Sequence, residues 1–325
     1  MNYLEHYGLR SEPFSNAPVD RFYFDAEQHQ QALVRLLHVV ENMKGLAVLL
    51  GEVGAGKTTL ARRLLASLPE AQYEAALLVI IHRDVTSDWL LRRLAVQLGV
   101  TDPSPEKLTL LSQVYRRLVE IHEQGKKAIV LIDEAQMLAS RDLMEEFRGL
   151  LNLEVPERKL LTFVFFGLPE LETNLQLDPP LAQRVALRVQ LGPLDARATA
   201  AYVRHRLFTA GATHELIEDD ALRLIHAAAG GYPRLINTLC DNLLLEGALA
   251  NRRALGSELT RIVIRSLGLE HAPAPQSEPA PPAPAQHPVP IVTGEPIWPP
   301  EEPLDDATVA ALEEIDRVLA SLGKG

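Results

Sequence analysis

The residues with the clearest chemical meaning form one loop, Gly51-Glu52-Val53-Gly54-Ala55-Gly56-Lys57-Thr58, which matches the pattern G-x-x-x-x-G-K-[ST]. Its glycines allow backbone N–H groups to turn inward around phosphate oxygens, and a helix that starts at the loop adds positive potential. We expect Lys57 to reach the β- and γ-phosphates of ATP and Thr58 to bind Mg²⁺. Residues 51–59, with Thr59 included, are therefore the predicted binding site for the cofactors ATP and Mg²⁺.

A pair of acidic residues, Asp133-Glu134, follows the apolar run Ala128–Ile132. A buried strand that ends in Asp presents a carboxylate to Mg²⁺ at the C-terminal edge of a parallel sheet, where ligands bind. Glu134 is suited to polarise an attacking water. Because a kinase or a simple switch does not need this second acid, the pair favours ATP hydrolysis, with Glu134 and Lys57 as catalytic residues.

Three arginines are candidates to complete the site. Arg184 and Arg188 follow the fourth predicted strand at a spacing of i, i+4, and either one is a candidate to contact the γ-phosphate held by a neighbouring subunit. The alternative is that both are surface arginines in weak ion pairs. Arg234, after Gly230-Gly231-Tyr232-Pro233, is a candidate sensor of nucleotide state. Leu168 lies where a polar side chain often contacts the γ-phosphate, and leucine cannot make that hydrogen bond.

The elements that must position these residues are visible as apolar runs. Four short runs lack alternation, as is typical of parallel strands covered on both faces. They are Leu46–Leu50, Leu77–Ile81, Ile129–Ile132 and Leu161–Phe166. Helical patterns lie between them at Thr59–Leu68, Asp88–Leu98 and Leu108–Glu123. Alternating strands and helices predict an α/β fold, a doubly wound parallel sheet of the P-loop NTPase type.

The chain divides into four predicted segments. After the α/β nucleotide-binding domain at 1–193, strand patterns stop and a helical lid subdomain is predicted at 194–269. Its helices are expected at Asp195–Ala210, Asp219–Ala229, Pro233–Ala250 and Ser257–Leu267. Residues 270–303, rich in proline and acidic, predict a semi-rigid linker. An amphipathic helix is predicted at 304–325, and its apolar stripe either packs back on the body or binds another protein.

Charge and composition narrow the class of protein. The formal net charge is −11, yet the segment after residue 270 holds nine acidic and two basic residues, so the body is nearly neutral and DNA is not a favoured partner. Basic pairs such as Lys126-Lys127 are interpreted as solvated helix faces. The single cysteine, Cys240, cannot form an internal disulfide and favours a reducing compartment. With no run of about 18 apolar residues, the sequence predicts a cytoplasmic protein without a membrane span.

These motifs resemble the ExeA/GspA-type AAA+ ATPases of bacterial secretion and pilus assembly, from the first residues to about Leu269. The resemblance rests on Tyr3–Leu9, Glu12–Ser15, Gly51–Thr58, Asp133–Gln136, Asn152 to Leu171, Ala182–Val185, Tyr202–Leu207, Ala210-Gly211, Gly230–Arg234, Ile236-Asn237 and Leu239–Asp241. It implies a ring-forming homo-oligomer whose ATP cycle drives assembly or transport at the inner membrane. It also implies that Arg184 acts in trans on a neighbouring subunit, as a catalytic residue, and that Arg234 is the lid sensor.

Two departures from the family pattern bear on function. The family commonly reads Gly-Gln-Pro-Glu-Leu where this chain has Gly167-Leu168-Pro169-Glu170-Leu171. Secretory members carry a membrane span and a peptidoglycan-binding domain after the ATPase, whereas this chain has a proline-rich tether and a short helix. The expected protein is thus a cytoplasmic relative, peripheral at the inner membrane, that serves type II secretion, pilus or polysaccharide export machinery through a protein partner. The alternatives are an ATP-dependent DNA-binding regulator resembling transposition ATPases and a nucleotide-gated scaffold with little turnover.

Overall fold

A computed structural model describes residues 2–17, 19–156 and 158–271. The predicted linker beyond residue 271 and the predicted helix at 304–325 lie outside the described residues. Within the described ranges the chain forms seven strands and twelve α-helices, and strands are found only before residue 192. The strands are β1 (Leu46–Gly51), β2 (Tyr73–Val79), β3 (Lys127–Asp133), β4 (Glu154–Val155), β5 (Arg158–Lys159), β6 (Leu161–Gly167) and β7 (Val185–Leu191).

The helices cover both faces of the sheet, and between residues 196 and 271 they are joined by loops and one isolated β-bridge, Ile217 to Leu255. They are α1 (Tyr3–Tyr7), α2 (Glu27–Glu41), α3 (Lys57–Ala66), α4 (Ser87–Gln97), α5 (Lys107–Glu123), α6 (Arg141–Leu150), α7 (Glu170–Leu175), α8 (Pro179–Gln183), α9 (Ala196–Thr209), α10 (Asp219–Ala229), α11 (Pro233–Leu249) and α12 (Ser257–Ser266). The predicted helices agree with α3, α4, α5 and α9–α12 to within two residues at each end. Helices α1, α2, α6, α7 and α8 were not predicted.

Five strands form one parallel sheet in the order β2-β3-β6-β1-β7. The predicted α/β fold with a parallel sheet is confirmed. Four of the strands correspond to the predicted runs, although β2 begins four residues earlier and ends two residues earlier than predicted, so Ile80 and Ile81 follow it. The fifth, β7, was not predicted because it is an edge strand whose exposed positions hold polar residues such as Arg188 and Gln190.

Alternate side chains of the central strands reach opposite faces of the sheet. On β1, Leu46 and Val48 pack in the core formed with α4, α5 and α6, whereas Ala47 and Leu49 pack in the core formed with α2 and α3. Phe163 and Phe165 on β6 join the first core, where both stack edge-on against Phe147 at 5.1 and 4.9 Å. Burial on both faces explains why these strands read as continuous apolar runs.

A third core joins the helices after residue 195 to the beginning of the chain. Tyr7, Phe14 and Phe22 of the N-terminal segment are buried with Ile236 and Leu239 of α11. Full burial of an aromatic or large aliphatic side chain contributes roughly 1.5–3 kcal/mol, so this packing fixes the segment on the lid helices. The division at residues 193 and 194 stays a prediction, and the packing shows that the N-terminal segment shares its core with the lid rather than with the sheet.

No helix in the part of the chain that the structure describes is long and apolar enough to cross a membrane.

Candidate active site

The phosphate loop connects the end of β1 to the first residue of α3, where the motif requires it. Gly54 and Gly56 adopt φ values of +82° and +103°, in the left-handed region that favours glycine. A Cβ atom on Gly54 would lie 2.7 Å from the Cβ of Arg234, and one on Gly56 would lie 2.9 Å from Nε2 of His29. The glycines are thus needed for space as well as for conformation, and the loop keeps the shape of a phosphate cradle.

Lys57 lies across this loop. Its Nζ donates hydrogen bonds to the carbonyl oxygens of Gly51 (2.8 Å) and Glu52 (3.0 Å). Burial lowers the pKa of Lys57, while the nearby charges of Glu134, Asp133 and Glu52 act in the opposite direction. The two carbonyl oxygens hold the ammonium group beside the phosphate loop. A phosphate oxygen that enters the loop can replace either carbonyl oxygen as its hydrogen-bond acceptor.

Thr58 and Asp133 are in direct contact. The Thr58 hydroxyl donates to Oδ2 of Asp133 at 2.7 Å, and the Glu134 backbone N–H donates to Oδ1 at 3.0 Å. Asp133 is 1% exposed, and burial raises its pKa against the opposing effect of these two hydrogen bonds. A hydroxyl and a carboxylate supply the hard oxygen ligands that Mg²⁺ prefers, and the ion normally takes its other ligands from phosphates and water. The pair fits Mg²⁺ that arrives with a nucleotide.

Glu134 follows β3 with a φ of +56°, which is uncommon for a residue other than glycine. This conformation turns its side chain into the cavity that Lys57 and Thr58 also line. One carboxylate oxygen, Oε2, accepts a hydrogen bond from Nε2 of Gln136 at 2.6 Å. Strained backbone conformations of this kind are concentrated at functional sites. At Glu134 the conformation places a carboxylate beside the phosphate loop.

The cavity has a volume of about 470 Å³. This lies within the range of roughly 300–1,000 Å³ that is usual for small-molecule sites. Its floor is the phosphate loop and the start of α3, its far wall holds Glu134 and Leu168, and its roof is formed by the N-terminal segment and the lid helices. The predicted residues Val53, Gly54, Gly56, Lys57, Thr58, Thr59, Glu134 and Arg234 all line it. Gly51, Glu52 and Ala55 contribute carbonyl oxygens that accept hydrogen bonds around it.

The three candidate arginines lie in two different places. Arg234, at the start of α11, lines the cavity, and its backbone N–H donates to the carbonyl of Gly54 at 3.3 Å. Arg184 and Arg188 do not line it. Since β7 runs parallel to β1 with Val185 opposite Leu46, Arg184 lies at the edge of the sheet opposite the phosphate loop. A role for Arg184 in its own subunit's site is therefore excluded, and its predicted role in trans stays a prediction.

The side chains of Arg184 and Arg188 have different partners. The Arg184 guanidinium donates to the Asn152 side chain and to the Arg148 carbonyl. Arg188 donates to Oε1 of Glu172 and to the carbonyl of Ala182, both at 2.9 Å.

Sequence reasoning assigned no role to two polar residues in the roof of the cavity, Arg206 and Asn237. Arg206 on α9 is 6% exposed and donates to the carbonyls of Pro13 (2.5 Å) and Ser15 (2.9 Å) and to the hydroxyl of Tyr202 (2.6 Å). Asn237 on α11 accepts from Tyr202 at 2.8 Å. The carbonyl partners of Arg206 are some 190 residues away in the chain, so no local pattern distinguishes it from a surface arginine.

His29 on α2 carries no signal in the sequence beyond that of a surface or core histidine. It is buried against the phosphate loop, with Nε2 3.2 Å from the carbonyl oxygen of Ala55. Burial lowers the pKa of His29, which favours a neutral ring whose Nε2–H donates to that carbonyl. His29 thus supports the phosphate loop and also lines the cavity, a role that its position before β1 does not reveal in the sequence.

Residues 40–175 match the family model of the AAA domain, and this range includes both the phosphate loop and Asp133-Glu134. The chain contains an AAA domain with the P-loop NTPase fold. Over 246 residues it is 37% identical to general secretion pathway protein A of Aeromonas hydrophila. The match covers 75% of this chain but 44% of that relative, so the chain spans less than half of the relative's length. The resemblance to ExeA/GspA-type proteins is confirmed.

Solved structures share the fold of this AAA protein at low sequence identity. The ORC2 protein of Aeropyrum pernix, in ADPNP and ADP complexes, superposes with a TM-score of 0.59 at 17% identity, covering 78% of this chain and 71% of its own. Cdc6p of Pyrobaculum aerophilum gives 0.59 at 18%, covering 78% and 70%. A Walker-type ATPase of Pyrococcus abyssi gives 0.55 at 20%, covering 79% and 77%. Likeness at this level shows the fold alone.

Proposed function

We propose that this AAA protein is a Mg²⁺-dependent ATPase whose nucleotide cycle energises or regulates the assembly of a bacterial envelope machine. The observation that carries the enzymatic part is the convergence of two strand ends. At the end of β1, Lys57 and Thr58 follow the phosphate loop, and at the end of β3, Asp133 lies 2.7 Å from Thr58 with Glu134 in the same cavity.

Each side chain has a distinct part in the proposed reaction. Lys57 exchanges its two carbonyl acceptors for phosphate oxygens when the nucleotide binds. Thr58 and Asp133 would hold Mg²⁺, which supplies neutralisation of the charge that develops on the transferred phosphoryl group. Glu134 accepts the proton of the attacking water and orients it in line with the bond that breaks. Arg234, in the first turn of α11, lies beside the phosphate loop, so a movement of α11 would change the distance between its guanidinium and the bound phosphates.

The cellular part of the proposal rests on the relative from Aeromonas hydrophila, whose name assigns it to the general secretion pathway. Because the match is limited to 44% of that protein, a role in type II secretion, pilus or polysaccharide export is inferred from the shared ATPase region. We propose a homo-oligomeric ring in which Arg184 of one subunit contacts the nucleotide of the next. Its place at the sheet edge remote from its own loop supports this arrangement.

Two substitutions and one control test the enzymatic proposal. Lys57→Ala should lose binding of a fluorescent ATP analogue, whereas Glu134→Gln should bind it normally and lose at least 100-fold in steady-state hydrolysis, within the range for general-base catalysis of roughly 10²–10⁴. Glu123→Gln, an exposed position at the end of α5, is the matched control and should hydrolyse ATP at the normal rate. Chelation of Mg²⁺ should stop hydrolysis. Normal ATP binding by Lys57→Ala would refute the phosphate-cradle assignment.

The cellular proposal has a separate test. The full-length Glu134→Gln protein with ATP should capture a component of an envelope machine from cells, and the Lys57→Ala protein should capture less of it. A salt-titrated DNA-binding experiment, with and without ATP, addresses the DNA-regulator alternative, since phosphate contacts give a steep dependence of affinity on salt. ATP-dependent DNA binding without an envelope partner would contradict the proposal.

A further inference from the structure

Gln136 lies between the two strand ends that form the far wall of the active site. It belongs to a short 3₁₀ helix, Ala135–Met137, that follows β3, and its side chain is buried, at 5% exposure. The amide nitrogen Nε2 donates to Oε2 of Glu134 at 2.6 Å. The amide oxygen Oε1 accepts from the backbone N–H of Leu168, just after β6, at 3.1 Å. One side chain thus joins the carboxylate to the neighbouring strand.

The orientation of the Gln136 amide follows from its partners. An amide side chain can be placed in either of two orientations, and the hydrogen-bond network decides between them. The backbone N–H of Leu168 can only donate, so it requires the amide oxygen, and the amide NH₂ is then left facing Glu134. A carboxylate can only accept when ionised, which matches this assignment. Both bonds therefore depend on the same amide in the same orientation.

The backbone around Gln136 is held from two sides. The Asn174 side chain on α7 donates to the Gln136 carbonyl at 2.8 Å. On the β6 side, a Cβ atom on Gly167 would come within 3.2 Å of Oε1 of Gln136 and within 2.8 Å of the Leu171 side chain. Glycine at this position leaves the space in which the amide contacts Leu168. The Gln136 side chain is therefore fixed by packing and hydrogen bonds before any substrate binds.

We propose that Gln136 is the positioning residue of Glu134, and that the backbone N–H of Leu168 holds the Gln136 amide in the orientation that this role requires. The inference rests on the proposed function, since it assigns the means by which the proposed base is held. With Oε2 engaged by Gln136, the remaining oxygen of Glu134 is left for a water in the cavity. The αL backbone of Glu134 and the amide bond together define one direction for that oxygen.

Two substitutions separate the hydrogen bonds of Gln136 from its packing. Gln136→Met keeps the length of the side chain and removes both bonds. Gln136→Glu keeps an acceptor for Leu168 and replaces the NH₂ donor by a second carboxylate beside Glu134. We expect both variants to lower kcat for ATP about 10- to 100-fold at about pH 8, while the Kd for an ATP analogue changes by less than about threefold. Gln176→Met, at an exposed position after α7, is the matched control and should keep the normal kcat.

The pH dependence of kcat gives the readout that a merely structural role would not move. At about pH 8 the carboxylate introduced by Gln136→Glu faces the ionised Glu134 and repels it. As the pH falls the pair takes up one shared proton, and the resulting O–H restores a donor to Glu134. The kcat of Gln136→Glu relative to the native protein should therefore recover several-fold between about pH 8.5 and about pH 6. That of Gln136→Met should stay constant relative to the native protein. Thermal unfolding of both variants monitors the fold.

The outcomes divide as follows. Loss of kcat in both variants at unchanged nucleotide affinity, with recovery at low pH in Gln136→Glu alone, supports the inference. A normal kcat in Gln136→Glu at about pH 8 overturns it, and this variant stays informative even if Gln136→Met folds poorly. If Glu134→Gln hydrolyses ATP at the normal rate, the proposed function itself fails and this inference with it. If Glu134→Gln is inactive but the Gln136 variants are normal, this inference alone fails.

Discussion

Two adjacent glycines allow the contact between the end of α10 and the segment after β7 to be measured. Gly230 and Gly231 both adopt left-handed backbone conformations, with φ values of +57° and +77°. Gly231 contacts Leu194 at the end of the segment that follows β7, where the Leu194 N–H donates to the Gly231 carbonyl at 2.9 Å. A Cβ atom on Gly231 would overlap the Leu194 carbonyl oxygen, whereas one on Gly230 would meet only ring carbons of Tyr232, at 3.6 and 3.7 Å.

The expected magnitudes follow from this difference. An alanine in the left-handed region costs about 1–2 kcal/mol, and this is the whole expected loss for Gly230→Ala. Gly231→Ala adds the clash with a backbone oxygen, for which overpacking in a tight site costs about 1–3 kcal/mol more. We therefore expect free energies of unfolding lower by about 1–2 kcal/mol for Gly230→Ala and about 2–5 kcal/mol for Gly231→Ala. At roughly 2–4 °C per kcal/mol, the two variants should differ clearly in Tm.

Chemical denaturation and nucleotide binding are the assays. Because Gly231 is two residues from Pro233, where α11 begins, the Gly231→Ala clash should also displace Arg234 from Gly54 and weaken binding of an ATP analogue. Gly230→Ala should bind the analogue normally. Equal losses of stability in the two variants would refute the reasoning, since it attributes their difference to the Leu194 carbonyl alone.

Three further predictions concern buried or remote charges. Burial raises the pKa of Asp133, so the native fold loses stability as the pH rises from about 4 through that raised value. The free energy of unfolding of Asp133→Asn should therefore exceed that of the native protein at about pH 7, and the difference should shrink toward about pH 4. The same variant should lose Mg²⁺-dependent hydrolysis. Arg206→Met should lower the free energy of unfolding by about 2–4 kcal/mol in urea titrations, whereas Arg204→Met on the same helix, which breaks exposed ion pairs, should cost at most about 1 kcal/mol. Arg184→Ala should bind ATP and hydrolyse it slowly, and mixing it with Lys57→Ala subunits should restore hydrolysis; failure of every mixture to exceed the separate proteins would count against action in trans.

The parts of the site that could be predicted are those fixed by neighbouring residues. The phosphate loop carries its own glycines, and Asp133-Glu134 ends an apolar run, so residue order alone places both at one edge of a parallel sheet. Strand β7 could not be found in this way. Its pattern of alternating buried and exposed residues is short, and one of the exposed positions is the charged Arg188. Its edge position, which depends on the order of strands in the sheet, permits that polarity.

Contacts between distant segments were beyond the reach of the sequence. Gln136 is only the last residue of the segment Asp133–Gln136 in the sequence, and the approach of β6 to β3 brings the backbone N–H of Leu168 to 3.1 Å from its side chain. Likewise, Arg206 becomes a buried residue because the carbonyls of Pro13 and Ser15 surround its guanidinium. In both cases the partners of the polar side chain are backbone groups. Every residue has such groups, so the sequence does not show which residue will be the partner.

The packing of the first residues on the lid has a mechanical consequence. Tyr3 donates to Asp241 at 2.7 Å, and Arg206 holds the carbonyls of Pro13 and Ser15, so the segment before α2 is attached to α9 and α11 at two separated points. If these helices rotate relative to the sheet, the amino-terminal segment must therefore move with them. A fluorophore or a fused domain at that end would report the position of α9 and α11, and a tether that fixed it to the sheet would restrain these helices without touching a phosphate-binding residue.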